Sequence, residues 1–259
     1  MSDYKKVVLT MRTGFVTRFS MVAWVLGFTL LAIFAIAVGV GVAIADCRGP
    51  YTTDFRLGDC TFANSGRTSF FVLDPGYWLQ LEGREGGKRV EVTITVLADT
   101  ELVDGVETRV VEEQELINGV LAEVSRNFFA ICSETNSVVY FGEDVDIYAK
   151  DGVTIISHEG AWRAGIDGAQ AGIVMPGTFL LGSRYFQEIA PGVAMDRACN
   201  TRMNLTVVTP AGTFSGCVNV KETTPLEPGQ VSIKAYCPGI GLVKDSRLRL
   251  VDWSERPAP

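Results

Sequence analysis

Between Arg89 and Val96 the chain reads RVEVTITV, with Val90, Val92, Ile94 and Val96 on one side of a two-residue period and Glu91, Thr93 and Thr95 on the other. A period of two sends alternate side chains to opposite faces of an extended backbone, so the segment predicts a strand with one apolar and one wet face. Three dipeptides that accept the backbone angles of tight hairpins follow. Asp104-Gly105 separates TELV from VETRVV, Asn118-Gly119 separates QELI from VLAEV, and Asp151-Gly152 separates DIYAK from VTIIS. Each predicts an antiparallel neighbour. VLAEVSRNFFAI carries apolar residues that also suit a helix, but its Asn-Gly entry and the VVYF run after Glu134-Thr135-Asn136 assign it to another pair of strands. Further strands are expected at RYFQEI, MNLTVV, TFSGCVNVKE, VSIKAY and RLRLVDW, with Pro210-Ala211-Gly212 as a turn.

The expected fold is mainly β, an antiparallel meander that forms a strongly curved sheet or a partly open barrel over residues 70–259. One stretch breaks the rhythm. GAWRAGIDGAQAGIVMPGTFLLG, residues 160–182, is rich in glycine, has no clean period, and holds Trp162, Met175 and Phe179 among its large apolar residues. It reads as a long loop that either plugs the open end of the sheet or walls a binding cavity, and in the second case Trp162, Met175 and Phe179 are the expected ligand contacts.

The N-terminus follows a different pattern. Met21 to Ala45 is uncharged over 25 residues and is preceded by Lys5, Lys6, Arg12 and Arg18, which predicts a hydrophobic helix long enough to enter a bilayer with its basic flank in the cytoplasm. Residues 1–45 are therefore a signal peptide or a signal anchor. Ala43-Ile44-Ala45 supplies a small-x-small cleavage pattern, and a product beginning at Asp46 is the expected commoner form, while the length of the apolar run favours a retained anchor. Asp46 does not fit the residue before a lipidated cysteine, so Cys47 is not expected to carry an acyl chain.

Charge narrows the partners. Residues 1–45 hold four Lys/Arg and one acid, which leaves 19 basic against 29 acidic residues in the remainder. An acidic body repels phosphate backbones, and nucleic acid is not an expected partner. All six cysteines, Cys47, Cys60, Cys132, Cys199, Cys217 and Cys237, follow the apolar run, on the side where disulfides persist, and they read as three bridges. No two are close enough for a zinc pattern, and neither a metal nor a cofactor is expected. Six cysteines allow 15 pairings. The local options are Cys47 with Cys60, closing an N-terminal segment at residues 46–69, and Cys199 with Cys217, which leaves Cys132 with Cys237.

Catalytic patterns are sparse. His158 is the only histidine, beside Glu159 at a strand end, and acids stand at Glu143, Asp144 and Asp146 and again at Asp167. A hydrolase would be built around His158 or the Glu143/Asp144/Asp146 acids. The glycines lack the spacing of a phosphate-binding loop.

FFVLDPGYWLQLEG (residues 70–83), VVYFGED (138–144), the 160–182 stretch, YFQEIAPGVAMD (185–196) and KAYCPGIGLVKD (234–245) together resemble a family of exported, β-rich bacterial proteins of unassigned function. In that pattern the positions of Cys132 and Cys237 are usually not cysteine, and their joint change implies that they pair. The Tyr-x-Pro-Gly-x-Gly-Leu-Val ending is more distantly similar to periplasmic proteins whose curved sheets look like lipoprotein carriers. The resemblance implies a periplasmic or secreted protein, or one anchored by its N-terminus through residues 21–45. It is expected to bind an apolar small molecule or an envelope partner, with a hydrolase and a purely structural surface protein as the alternatives.

Overall fold

The computed structural model describes residues 45–254. The expected hydrophobic helix and most of its cleavage motif lie outside these residues, and no helix among them is long and apolar enough to cross a membrane. Among the described residues a single 3-10 turn, Leu57–Asp59, interrupts otherwise all-β structure.

Sixteen strands form one sheet: β1 (Phe62–Ala63), β2 (Trp78–Glu85), β3 (Lys88–Val103), β4 (Val106–Ile117), β5 (Val120–Cys132), β6 (Ser137–Tyr148), β7 (Ile155–Ser157), β8 (Trp162–Arg163), β9 (Gln170–Met175), β10 (Arg184–Phe186), β11 (Glu188–Ile189), β12 (Arg197–Thr209), β13 (Gly212–Thr223), β14 (Ser232–Cys237), β15 (Gly241–Asp245) and β16 (Leu248–Ser254). Their order across the sheet is β10-β12-β13-β14-β15-β16-β2-β3-β4-β5-β6-β9-β11, with β1 on β5 and with β7 and β8 on β6. Every strand pair is antiparallel, as the hairpin chemistry requires. Asp104 and Gly105 take φ 49° and 79°, and Asn118 and Gly119 take 53° and 80°, which are the left-handed angles that a two-residue turn between twisted strands demands.

The two ends of this order are neighbours in the chain. β10 closes one edge, β11 closes the other, and only Gln187 separates them, so the sheet curls into a nearly closed barrel. Register shifts in the β3–β4, β4–β5, β5–β6, β14–β15 and β16–β2 pairs supply the local bends that such curling needs. The largest lies between Val96 and Thr100, where β3 leaves its partner. There the buried Arg109 guanidinium donates to the carbonyls of Ala98 (2.6 Å), Asp99 (3.3 Å) and Asn64 (2.8 Å), so backbone acceptors freed by the bend are still satisfied.

The 160–182 stretch is only in part the loop that its composition implied. It contributes β8 and β9, both paired with β6. Its neighbourhood explains the glycine: a Cβ at Gly172 would collide with the Gln187 carbonyl, so glycine there lets the chain cross tightly at the closure.

Three disulfides are formed, but not in the expected pairs. Cys47 bonds Cys199, Cys60 bonds Cys132 and Cys217 bonds Cys237. The local pairings Cys47–Cys60 and Cys199–Cys217, and with them Cys132–Cys237, are overturned: Cys217 and Cys237 face each other on the neighbouring strands β13 and β14, and the N-terminal segment carries Cys47 to β12 and Cys60 to the end of β5. Residues 46–69 are consequently not a self-closed unit. Thr52 lies against Tyr185 on the open side of β10, and Phe62–Ala63 pairs with the end of β5, so this segment is stapled onto the barrel at two points. Three disulfides point to an oxidising, extracytoplasmic compartment.

Candidate functional site

The barrel encloses a cavity of about 520 Å³, and the strand registers define its wall. One row of paired residues runs Leu81–Val92–Glu115–Glu123–Ile147 from β2 to β6, and a second runs Val96–Val111–Asn127–Glu143–Trp162 from β3 to β8. Between them lie Leu79, Ile94, Glu113 and Ser125. The wall therefore changes character around its circumference. β2 and β3 offer leucine, valine and isoleucine with Glu85 at the end of β2, while β4 to β6 set carboxylates, an amide and hydroxyls among Val111, Phe129 and Ile147.

The far wall is polar as well. On β14 Ser232, Lys234 and Tyr236 share the inner face, with Glu222 of β13 and Asp245 of β15 beside them. Lys234 Nζ lies 2.9 Å from Glu222 Oε2 and 3.7 Å from Asp245 Oδ2. Glu222 Oε1 accepts from Gln187 Nε2 at 3.0 Å, and Asp245 Oδ1 accepts from Ser232 Oγ at 2.9 Å. The residue at the barrel's closure is thus tied into the floor of the cavity. Phe71, Phe129, Tyr140 and Trp162 form an aromatic corner, with Phe129 and Tyr140 rings 4.9 Å apart and Tyr140 meeting Trp162 edge-on at 5.2 Å. Trp162 is buried and its indole N–H has no acceptor among the described residues.

Eleven carboxylates border the cavity against one basic side chain, Lys234. Crowding acids in a low-dielectric space disfavours their charged forms. Burial raises Glu113 from its ordinary value to about 7, with Lys234 pulling it down and Asp245, Glu123 and Glu143 pushing it further up. Glu113 keeps some accessible surface because it faces the cavity, while protein surrounds it on the other sides. Burial, with Asp196 adding repulsion, holds Glu188 well above the usual carboxylate range, although its Oε1 accepts from the Asp196 N–H at 2.6 Å. Burial also raises Glu222 and Glu85, and it raises the Tyr236 phenol. For Lys234 burial works toward neutrality, but Glu222 and Asp245 outweigh it and the ammonium persists.

The expected site residues fall in different places. Trp162 lines the cavity, whereas Met175 and Phe179 are buried in the packed wall and do not, Phe179 standing edge-on to Phe70 at 5.9 Å. Strand alternation separates the acidic cluster. Glu143 faces the cavity, while Asp144 and Asp146 are on the outer surface. Arg163 grips Asp144 through two bonds of 2.8 and 2.9 Å and lies 4.1 Å over the Phe128 ring. His158 is exposed, with Nδ1 at 3.0 Å from Asp146 Oδ1 and 2.8 Å from the Val145 carbonyl, and Arg126 shares Asp146 at 3.1 Å. The only histidine is engaged outside the barrel, away from Glu143. Among the described residues the single grouping with metal-ligand proximity is Cys60, Cys132 and Glu134, and its two sulfurs are joined in a disulfide.

The residues that the sequence reading missed are Glu113, Glu115, Glu123, Glu188, Glu222 and Lys234. A signal was present. In VETRVVEEQELI the acids Glu112, Glu113 and Glu115 fall on both faces of one strand, next to a strand whose inner face is fully apolar. A strand with no dry face, inside a barrel, marks an interior that is not filled by side chains. No protein-family model, curated protein or solved structure matches the chain.

Proposed function

We propose that this is a non-catalytic binding protein of the cell envelope that holds a small amphipathic ligand inside its barrel. The observation that carries the reading is the cavity itself: about 520 Å³ of space, apolar along β2 and β3 and carboxylate-lined along β4 to β6. That volume is within the range of sites for small organic molecules. The ligand's apolar body lies against Leu79, Leu81, Val92 and Ile94, and its hydrogen-bond-donating head lies among Glu113, Glu143 and Glu188. A guest that buries about 300 Å² of apolar surface gains roughly 7 kcal/mol before the costs of association, enough for weak to moderate affinity from the body alone. Donation to carboxylates in a desolvated space supplies the selectivity. The periplasm, or the outer surface of the membrane, is where such a carrier would work.

The test is titration of the protein with a fluorescent alkylamine and with a fluorescent fatty acid. The alkylamine binds saturably and the fatty acid binds less well. Ile94→Trp, which fills the apolar side, abolishes both, and Glu113→Gln weakens the amine alone. Absence of saturable binding of either probe to the folded protein refutes the proposal.

A further inference from the structure

We propose that the barrel face around Ala45 rests on an anionic phospholipid surface, with the uncharged run Met21–Ala45 retained in the bilayer. The proposal is independent of what the cavity holds. The uncharged run ends against the barrel. Ala45, its last residue, is not on a slack tether: its N–H donates to the Thr201 carbonyl at 3.0 Å, beside the edge that β10 leaves uncovered on β12. Two residues later Cys47 is bonded to Cys199, and Arg184 Nη1 reaches the Asp46 carbonyl at 3.4 Å. With the run in lipid up to Ala45, the wall at Thr201 lies at the interface.

The side chains on that wall suit such a position. Leu180 is 60% exposed, Leu181 39% and Met203 38%. Backbone pairing brings Leu180 and Leu181 to this edge: Gly182 donates to the Asn200 carbonyl, Asn200 Nδ2 donates to the Leu180 carbonyl at 3.2 Å, and a Cβ at Gly182 would meet that of Ala45, while Met203 follows Thr201 by two residues on β12. Arg202 and Lys221 border the recess beside Ala45, and Arg184 and Arg48 flank it. The one acid there, Asp46, is engaged by Arg48 at 2.8 Å. This face is basic on a body that carries 19 basic and 29 acidic residues. Apolar side chains rimmed by arginine and lysine are the pattern of an interfacial surface, and a local charge opposite to that of the body turns that face toward anionic lipid while the acidic remainder is repelled.

The experiment uses the full chain in vesicles of phosphatidylglycerol and phosphatidylethanolamine, or of phosphatidylcholine alone. A benzophenone-bearing residue replaces Leu181, Met203 or, as a control on the distant β6–β7 connection, the 77%-exposed Val153. After irradiation, lipid adducts at positions 181 and 203 exceed those at 153 about tenfold. Arg202→Glu and Lys221→Glu each lower the position-181 adducts about fivefold in the anionic vesicles and leave them unchanged in phosphatidylcholine. All these side chains are on the surface, and non-reducing mobility confirms that each variant keeps its three disulfides. Equal lipid labelling at the three positions, adducts to protein instead of lipid, or recovery of the body from the soluble fraction after a cut before Asp46 each overturns the proposal.

Discussion

Glu113 gives the barrel a pH-dependent weakness that can be measured. Burial, with Lys234 opposing it and three neighbouring acids reinforcing it, lifts its pKa from 4.5 to about 7. Between those values the folded chain keeps a proton that the unfolded chain has released. A raised carboxyl pKa contributes stability that is complete below about pH 4.5 and is lost as pH climbs through about 7, because above that point the folded state must hold a desolvated charge. At ~1.4 kcal/mol per pKa unit the loss approaches ~3 kcal/mol. Glu113→Gln keeps the side chain's shape and removes its ionisation. Denaturant unfolding of the oxidised protein, followed by tryptophan fluorescence, should give nearly equal stabilities for wild type and Glu113→Gln at about pH 4. A gap in favour of the variant should open between about pH 5 and 7 and level off near ~3 kcal/mol by about pH 8. Glu85, Glu188 and Glu222 shift in the same direction and largely cancel in the difference between the two proteins. Parallel pH profiles, or a variant less stable throughout, would refute the reasoning and place the Glu113 carboxylate in contact with solvent.

Removing the ammonium of Lys234 as Lys234→Met leaves Glu222 and Asp245 without their cation and should destabilise the fold by about 3–5 kcal/mol, read as a melting temperature lowered by roughly 10 °C. Adding Glu222→Gln should restore part of that loss. Non-reducing peptide mapping should find Cys47–Cys199, Cys60–Cys132 and Cys217–Cys237 and no free thiol. Replacing Cys60 and Cys132 together by serine, which opens a link across 72 residues, should cost about 4 kcal/mol in denaturant unfolding.

The strands were legible because their information is local. Alternation in RVEVTITV set the inner face of β3, and Asp104-Gly105 and Asn118-Gly119 set both turns of the β3–β4–β5 meander, each element requiring only its immediate neighbours in the chain. Asp151-Gly152 was a weaker marker: it sits in a wider turn, closed by the Ala149 N–H on the Thr154 carbonyl, and the strand after it has three residues. The disulfide partners were not legible, since Cys47 meets Cys199 only where the N-terminal segment lies along β12 and β10, a contact between residues 152 apart in the chain. The cavity was hidden for a related reason. Glu113 on a solvated strand and Glu113 on a barrel lumen give the same two-residue pattern, and only closure distinguishes them. Trp162 was picked out for its size in a stretch without a period, and Met175 and Phe179 for the same property; size does not tell which of the three faces a cavity and which fill the wall.

The junction at Gln187 has a consequence for how this molecule meets other chains. A sheet ordinarily ends in a row of unpaired amides that another extended segment can join, and such rows seed both peptide capture and fibrous aggregation. Here the order terminates in β10, three residues long and bridged on its outer side by Thr52, and in β11, two residues long. Neither of these two terminal strands offers the length of ladder that a guest strand requires. β12 is different: it runs to Thr209, while β10 pairs only with Arg197 to Cys199, so most of its outer edge carries no neighbouring strand among the described residues. Lengthening of the sheet by a guest strand would start on that edge of β12 and not at β10 or β11.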